Sequence, residues 1–154
     1  MTEPTLELTR SFAAPPERVF AAWTDPALLR RWWAALAGWE TAAADVDLRP
    51  GGRYRLTMRD PVANEEYTVA GTYLDVRRPD RLAYTWTWEG EADIMRGSAD
   101  TVVEVEFVAD GAETEVRLTH RGFADERIRD LHGEGWGGCL ENLERRVLAR
   151  EPAP

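Results

Sequence analysis

A chain of 154 residues with a formal charge of −9 is long enough for a single domain, residues 1–154, around a sizeable core. Its acidity argues against a nucleic acid or an anionic membrane as partner, since all 19 basic residues are arginines scattered along the chain. No apolar stretch approaches the roughly 18 residues of a membrane span, and no basic start leads into an apolar run, so the expected compartment is the cytoplasm.

Thr5–Ala13 alternates, with Leu6, Leu8 and Phe12 on one face and Thr5, Glu7, Thr9 and Ser11 on the other. That is the pattern of a half-buried strand. Pro15 and Pro16 end it and open a short helix over Glu17–Trp23, whose buried side is Val19, Phe20 and Trp23. Asp25-Pro26 starts a second short helix, an N-cap followed by proline at the first helical position, carrying Leu28, Leu29, Trp32 and Trp33. From Asp45 the period changes to two. Val46 and Leu48 lead into the turn Arg49-Pro50-Gly51-Gly52, after which Tyr54, Leu56 and Met58 alternate with Arg53, Arg55, Thr57 and Arg59. Asp60–Glu66 turns the chain into Tyr67, Val69, Gly71 and Tyr73, where a glycine inside a strand signals a bulge or sharp bend. Arg78-Pro79-Asp80 is the next turn, and Leu82, Tyr84, Trp86 and Trp88 then share a face. A longer connection, Gly90–Asp100, precedes Val103, Val105 and Phe107. Asp110-Gly111 makes a hairpin into Val116, Leu118 and His120.

The last element is the longest. Over Asp125–Arg150, Ile128, His132, Trp136, Cys139, Leu143 and Val147 fall on one helical stripe, flanked by Leu131 and Leu140. Arg127, Asp130, Glu134, Glu141 and Arg145 fall on the other side, with Asp125 as N-cap and Glu141–Arg145 spaced i,i+4. Four glycines, Gly133, Gly135, Gly137 and Gly138, interrupt it. Each costs roughly 1 kcal/mol against alanine, so the helix must be held by packing, and the bare positions allow close approach or open space. An antiparallel meander with one apolar face needs a cover, and only this helix is long enough to provide it. The expected architecture is therefore α+β: a strand, two short helices, six strands, and a long helix in the grip of a curved sheet. The wedge between sheet and helix is where a ligand would go. Beyond it, Met1–Pro4 and Glu151–Pro154 read as solvated tails.

Five stretches in this order also resemble a known family: Pro15–Trp33, Asp47–Asp60, Ala70–Trp86, Thr114–Phe123 and His132–Leu143. They are similar to the family named for the C-terminal domain of the activator of the heat-shock-protein-90 ATPase. That family lies within the START-like (SRPBCC) superfamily, which also holds birch-pollen-allergen, polyketide cyclase and lipid-transfer relatives. The resemblance implies the helix-grip fold and an internal pocket for apolar small molecules. Co-chaperones of this name carry a further N-terminal domain that is not seen in this sequence, so their activity is not carried over.

Chemistry is sparse in the residues themselves. No GxSxG occurs, and no nucleophile–histidine pair can be read from spacing. The single cysteine, Cys139, excludes an intrachain disulfide and reads as an inert small hydrophobe on a buried stripe. The two histidines lack metal-ligand spacing, Pro50-Gly51-Gly52 opens no helix that could cradle a phosphate, and neither cofactor nor metal is expected. Arg53, Arg55 and Arg59 read as a solvated face. What remains is a set of side chains expected to point into the wedge: Trp32, Trp33, Tyr54, Met58, Tyr84, Trp86, Trp88, His120, His132, Trp136 and Cys139. So many tryptophans and tyrosines on inward positions suit a pocket wall, with the histidines as polar anchors or as satisfied core residues. The sequence is thus expected to encode a non-enzymatic binder of an apolar or aromatic small molecule, as a monomer or homodimer. A cyclase or isomerase using His120 or a tyrosine as acid/base, and a co-chaperone-like interaction module, are the alternatives.

Overall fold

In the computed structural model, which describes residues 3–90 and 92–149, the alternating segments become one seven-stranded antiparallel sheet. Its strands are β1 (Thr5–Phe12), β2 (Glu40–Val46), β3 (Arg53–Asp60), β4 (Glu65–Arg77), β5 (Arg81–Trp88), β6 (Thr101–Asp110) and β7 (Glu113–Arg121). The spatial order β1-β7-β6-β5-β4-β3-β2 is a plain meander from β2 to β7, with β1 added beside β7. Helices α1 (Pro16–Thr24) and α2 (Pro26–Trp32) follow β1, the single turn α3 (Asp93–Arg96) lies in the β5–β6 connection, and α4 (Glu126–Arg146) closes the chain. This is the α+β helix-grip architecture expected from the sequence.

Local chemistry explains where the helices begin. Pro16 opens α1, and Asp25 caps α2 by accepting the Ala27 N–H at 2.9 Å, with Pro26 at the position where no N–H is needed. Asp125 caps α4 in the same way, taking the Ile128 N–H at 2.9 Å. The stripe Ile128, His132, Trp136, Cys139, Leu140 and Leu143 is buried against the sheet and against α1 and α2. Two register shifts, at Thr41/Ala43 between β2 and β3 and at Tyr73/Asp75 between β4 and β5, bend the sheet around it. On the opposite face Arg55 pairs with Glu89 and Arg59 with Glu40, all well exposed and of little consequence for stability.

Three expectations need correction. The second strand begins at Glu40, not Asp45, and Leu48 lies in the turn; the run Ala42-Ala43-Ala44 has no alternation by which to see it. The bulge of β4 falls at Tyr73–Asp75 rather than at Gly71. Gly71 serves close approach instead, since a Cβ there would lie 2.0 Å from the Thr85 carbonyl oxygen. Finally, α4 ends at Arg146 instead of continuing to Arg150, which lies outside the described residues. Its last carbonyls are taken by arginines of the short helices: Arg31 donates to the Arg146 carbonyl at 2.7 Å and Arg18 to that of Val147 at 3.0 Å. Leu148 then folds back into the core. Of the expected tails, Met1, Thr2 and residues 151–154 lie outside the described residues.

Candidate functional site

Between α4 and one end of the sheet lies a cavity of ≈ 250 Å³. Trp86 and Trp88 of β5 form its inner wall, with Met58 of β3 and Tyr67 of β4 beside them. Leu131, His132, Gly135, Trp136 and Cys139 of α4 form the opposite wall. Trp33, Ala35 and Trp39, from the segment joining α2 to β2, close one side; Ala92 and Met95, from the β5–β6 connection, close another. The lining is almost wholly apolar. Trp86 stands at the centre of the aromatic set, 5.2 Å from Trp136, 5.4 Å from Trp88 and 6.2 Å from Trp33 between ring centroids. Trp39 and Tyr67 stack in parallel at 5.4 Å across the rim.

The segment that carries Trp33, Ala35 and Trp39 has little regular structure of its own and is held by α4. Asn142, buried, donates to the Ala34 carbonyl at 2.8 Å, and Arg146 donates to the carbonyls of Trp39 and Ala37. Gly138 lets the segment come close: a Cβ there would fall 1.7 Å from the Ala35 carbonyl oxygen. Gly135 does something different. It faces the cavity, and a Cβ on it would meet only the Ala35 methyl, at 3.9 Å.

Both histidines are fully engaged. The Trp136 indole N–H donates to His120 Nδ1 at 3.1 Å, and indole has no acceptor, so Nδ1 carries the lone pair. His120 Nε2–H therefore donates to Thr101 Oγ1 at 2.7 Å, and that hydroxyl passes its own proton to the Trp86 carbonyl at 3.2 Å. His132 is the opposite tautomer. Its Nε2 accepts the Trp88 indole N–H at 2.9 Å, and its Nδ1–H donates to the Ile128 carbonyl at 2.9 Å. Burial depresses the pKa of both rings, and the neighbouring His132 lowers that of His120 further. Neither has a nitrogen free for proton transfer.

This arrangement makes stability depend on pH in a stated direction. A histidine whose folded pKa is depressed binds more protons unfolded than folded once the pH drops below its unfolded value, near 6.5. Stability is then fully present above about pH 6.5 and is lost as the pH falls, at up to about 1.4 kcal/mol per pH unit for each histidine. Urea titrations at pH 7.5 and pH 5.5 should show this loss before the carboxylates titrate; equal midpoints at the two values would contradict the neutral pair.

The buried thiol and the three buried tyrosines are equally unsuited to proton transfer. Burial pushes the Cys139 thiol up to about 12, which keeps it protonated. Tyr54, Tyr73 and Tyr84 are all raised by burial, and the Tyr54 hydroxyl is already committed to the Thr85 carbonyl at 2.5 Å. Among the described residues no three His, Cys, Asp or Glu side chains gather to hold a metal ion, and no helix is long and apolar enough to cross a membrane.

The sequence profile of the family described as Activator of Hsp90 ATPase homolog 1-like protein matches residues 13–147. The chain belongs to that family. Among solved structures it is similar to protein CV1439 from Chromobacterium violaceum, with a TM-score of 0.81 and 23% identity over 95% of this chain and 99% of that one. The AHSA1 protein SPO3351 from Silicibacter pomeroyi is 30% identical, with a TM-score of 0.77 over 91% of this chain and 94% of its own. PFC0360w, an HSP90 activator from Plasmodium falciparum, superposes with a TM-score of 0.69 at 23% identity, covering 92% of this chain and 94% of that one. The first and third likenesses show the fold alone. No curated protein sequence matches.

Within this Activator of Hsp90 ATPase homolog 1-like fold, the expected wedge residues divide. Trp33, Met58, Trp86, Trp88, His132, Trp136 and Cys139 meet at the cavity. Trp32 does not: it is fully buried, its indole N–H donating to the Ala22 carbonyl at 2.9 Å. Tyr54 and Tyr84 pack with Tyr73 around a separate void of about 10 Å³, no larger than a water site, and the Trp23 indole donates to Tyr84 Oη at 3.2 Å. His120 lies behind Trp136, wholly buried. Strand alternation put Tyr54, Tyr84 and His120 on the correct face, but Trp23 of α1 and Trp136 of α4 pack over Tyr84 and His120, and Trp32 belongs to α2 itself. Ala35, Trp39, Tyr67, Ala92, Met95 and Leu131 were not anticipated. Tyr67 and Leu131 were legible as neighbours of inward positions; the others come from connections that carry no periodicity.

Proposed function

We propose that this protein binds a small apolar or aromatic molecule in the cavity under α4 without transforming it. The observation that carries the reading is the pairing of an aromatic-walled cavity of ≈ 250 Å³ with histidines whose four ring nitrogens are all engaged. A cavity of about 150 Å³ with apolar walls holds benzene, so this one suits a molecule of about two rings. Acid/base chemistry would need a titratable group free to exchange a proton with the ligand. The protected thiol and the raised tyrosines supply none. The co-chaperone reading draws on the family's description and on the fold likeness to the Plasmodium falciparum HSP90 activator. Exposure of large apolar side chains among the described residues is highest at Leu36, Val62, Leu74 and Leu131, on four different segments of the chain.

Titration with a two-ring aromatic compound is expected to change the intrinsic tryptophan fluorescence saturably and to raise the melting temperature, since Trp86, Trp88 and Trp136 all face the cavity. Absence of both effects across a panel of such compounds would end the binding reading. Gly135→Ala should leave the fold at least as stable, gaining up to about 1 kcal/mol of helix propensity, while weakening binding because its methyl enters the ligand's space. Binding unchanged in that variant would move the ligand away from this stretch of α4.

A further inference from the structure

One wall of the cavity depends on a hydrogen bond that only an uncharged imidazole can make. Trp88 gives its indole N–H to His132 Nε2 at 2.9 Å, and both side chains line the cavity. The other ring nitrogen, Nδ1–H, is committed to the Ile128 carbonyl at 2.9 Å, so a proton arriving at His132 has only Nε2 to go to. Nε2–H would then face the Trp88 N–H, donor against donor, and one of the two side chains must turn away. Trp136 and His120 repeat the arrangement deeper in the core, while the Trp86 N–H is buried without a partner and takes no part. Few groups compete for the charge. The His132 ring meets Trp86 and Trp88 of β5, His120 of β7 and Phe123 just after it. Among the described residues the lining adds only Tyr67 and Cys139 as titratable groups, with no arginine, aspartate or glutamate.

Resting on the binding reading above, we infer that the cavity releases its ligand on acidification, through protonation of His132 and loss of its bond to Trp88. Two effects act in the same direction. Turning Trp88 or His132 out of the pairing breaks the aromatic wall against which a ring would stack. An apolar ligand also displaces water from the cavity, and an imidazolium in the wall then loses hydration with no counter-charge to replace it. Linkage fixes the sign. A ligand that prefers the uncharged wall makes His132 harder to protonate, and a proton on His132 lowers ligand affinity by the same factor. The trigger is His132 rather than His120, because His132 belongs to the lining and His120 is wholly buried behind Trp136. Burial already holds the His132 pKa below its ordinary value, so the wall is intact at neutral pH and the ligand is held there.

Naphthalene, a two-ring probe with no titratable group of its own, tests this on the intact protein. Its affinity is measured at pH 7.5 and pH 5.0 and expressed per folded molecule, with the folded fraction taken from circular dichroism. In the wild type it should fall roughly threefold or more between the two, approaching tenfold per pH unit at the acid limit. In His132→Gln, whose side-chain carbonyl can still accept the Trp88 N–H but does not titrate, the change should stay below about twofold. A second readout needs no variant to fold. In proton–nitrogen spectra of the wild type, the His132 ring and the Trp88 indole should shift with one common midpoint, and saturating naphthalene should move that midpoint to lower pH. Equal wild-type affinities at the two pH values, a decline undiminished in His132→Gln, or a His132 midpoint that naphthalene leaves in place would each overturn the acid release while leaving the cavity occupied. Failure of naphthalene to bind at pH 7.5 would count instead against the binding reading on which it rests.

Discussion

Trp136→Ala is expected to destabilise the protein by about 4–6 kcal/mol in urea unfolding. Truncating a buried tryptophan ordinarily costs about 3–5 kcal/mol through lost burial and the cavity left behind. Trp136 is only 3% exposed although one face borders the cavity, and it packs on both sides, 5.2 Å from Trp86 and stacked 6.1 Å from Trp23. The substitution also strips the donor from His120 Nδ1, leaving a buried acceptor unpaired at a cost of about 1–3 kcal/mol, part of which overlaps the first loss. Trp136→Phe separates the two contributions. It keeps most of the aromatic packing, loses the N–H, and should cost about 2–3 kcal/mol. It should also flatten the acid-side loss of stability, because the freed ring nitrogen of His120 can now be protonated in the folded state, which narrows the difference in bound protons between the folded and unfolded chains. Losses below about 1 kcal/mol for Trp136→Ala would mean the wall is soft enough to collapse around the gap. Trp136 thus serves as core and as cavity wall at once, because the cavity touches one face of its ring while the polar edge is tied into the sheet.

Gly138→Ala and Gly137→Ala should move stability in opposite directions although they are adjacent. Both gain up to about 1 kcal/mol of helix propensity. Gly137 points to open space, so that gain should appear undiminished. At Gly138 the new methyl would coincide with the Ala35 carbonyl, 1.7 Å away, and either α4 or the segment joining α2 to β2 must shift. Overpacking of this kind costs about 1–3 kcal/mol, and a backbone obstacle places it at the upper end, for a net loss of about 2 kcal/mol. Because the displaced segment carries Trp33, Ala35 and Trp39, ligand binding should weaken as well. Paired urea melts decide the matter: Gly138→Ala as stable as Gly137→Ala would show that the segment yields freely.

The glycines illustrate how far the sequence could be read. Four in one helix signalled close approach or open space, and the structure contains both, but which glycine does which depends on a segment distant in the chain. Gly138 meets a carbonyl, Gly135 faces the cavity and Gly137 faces nothing. The same limit applies to His120 and Tyr84. Alternation along β7 and β5 placed them inward, which is a local property of a strand whose side chains repeat every two residues. Whether an inward side chain reaches a cavity or is covered by Trp136 or Trp23 is decided by the helices laid over the sheet.

The chain's own pattern was sufficient for the strand count, the helix-grip order, the caps at Asp25 and Asp125 and the buried stripe of α4, because each follows from periodicity or from a hydrogen bond within a few residues. Only the tertiary structure decided the boundaries of the cavity, the tautomers of the two histidines and the unpartnered N–H of Trp86. Each of these is set by contacts between elements far apart in sequence, where the shape of the packing, rather than the repeat of any one strand or helix, determines which polar atoms find partners and which space is left open.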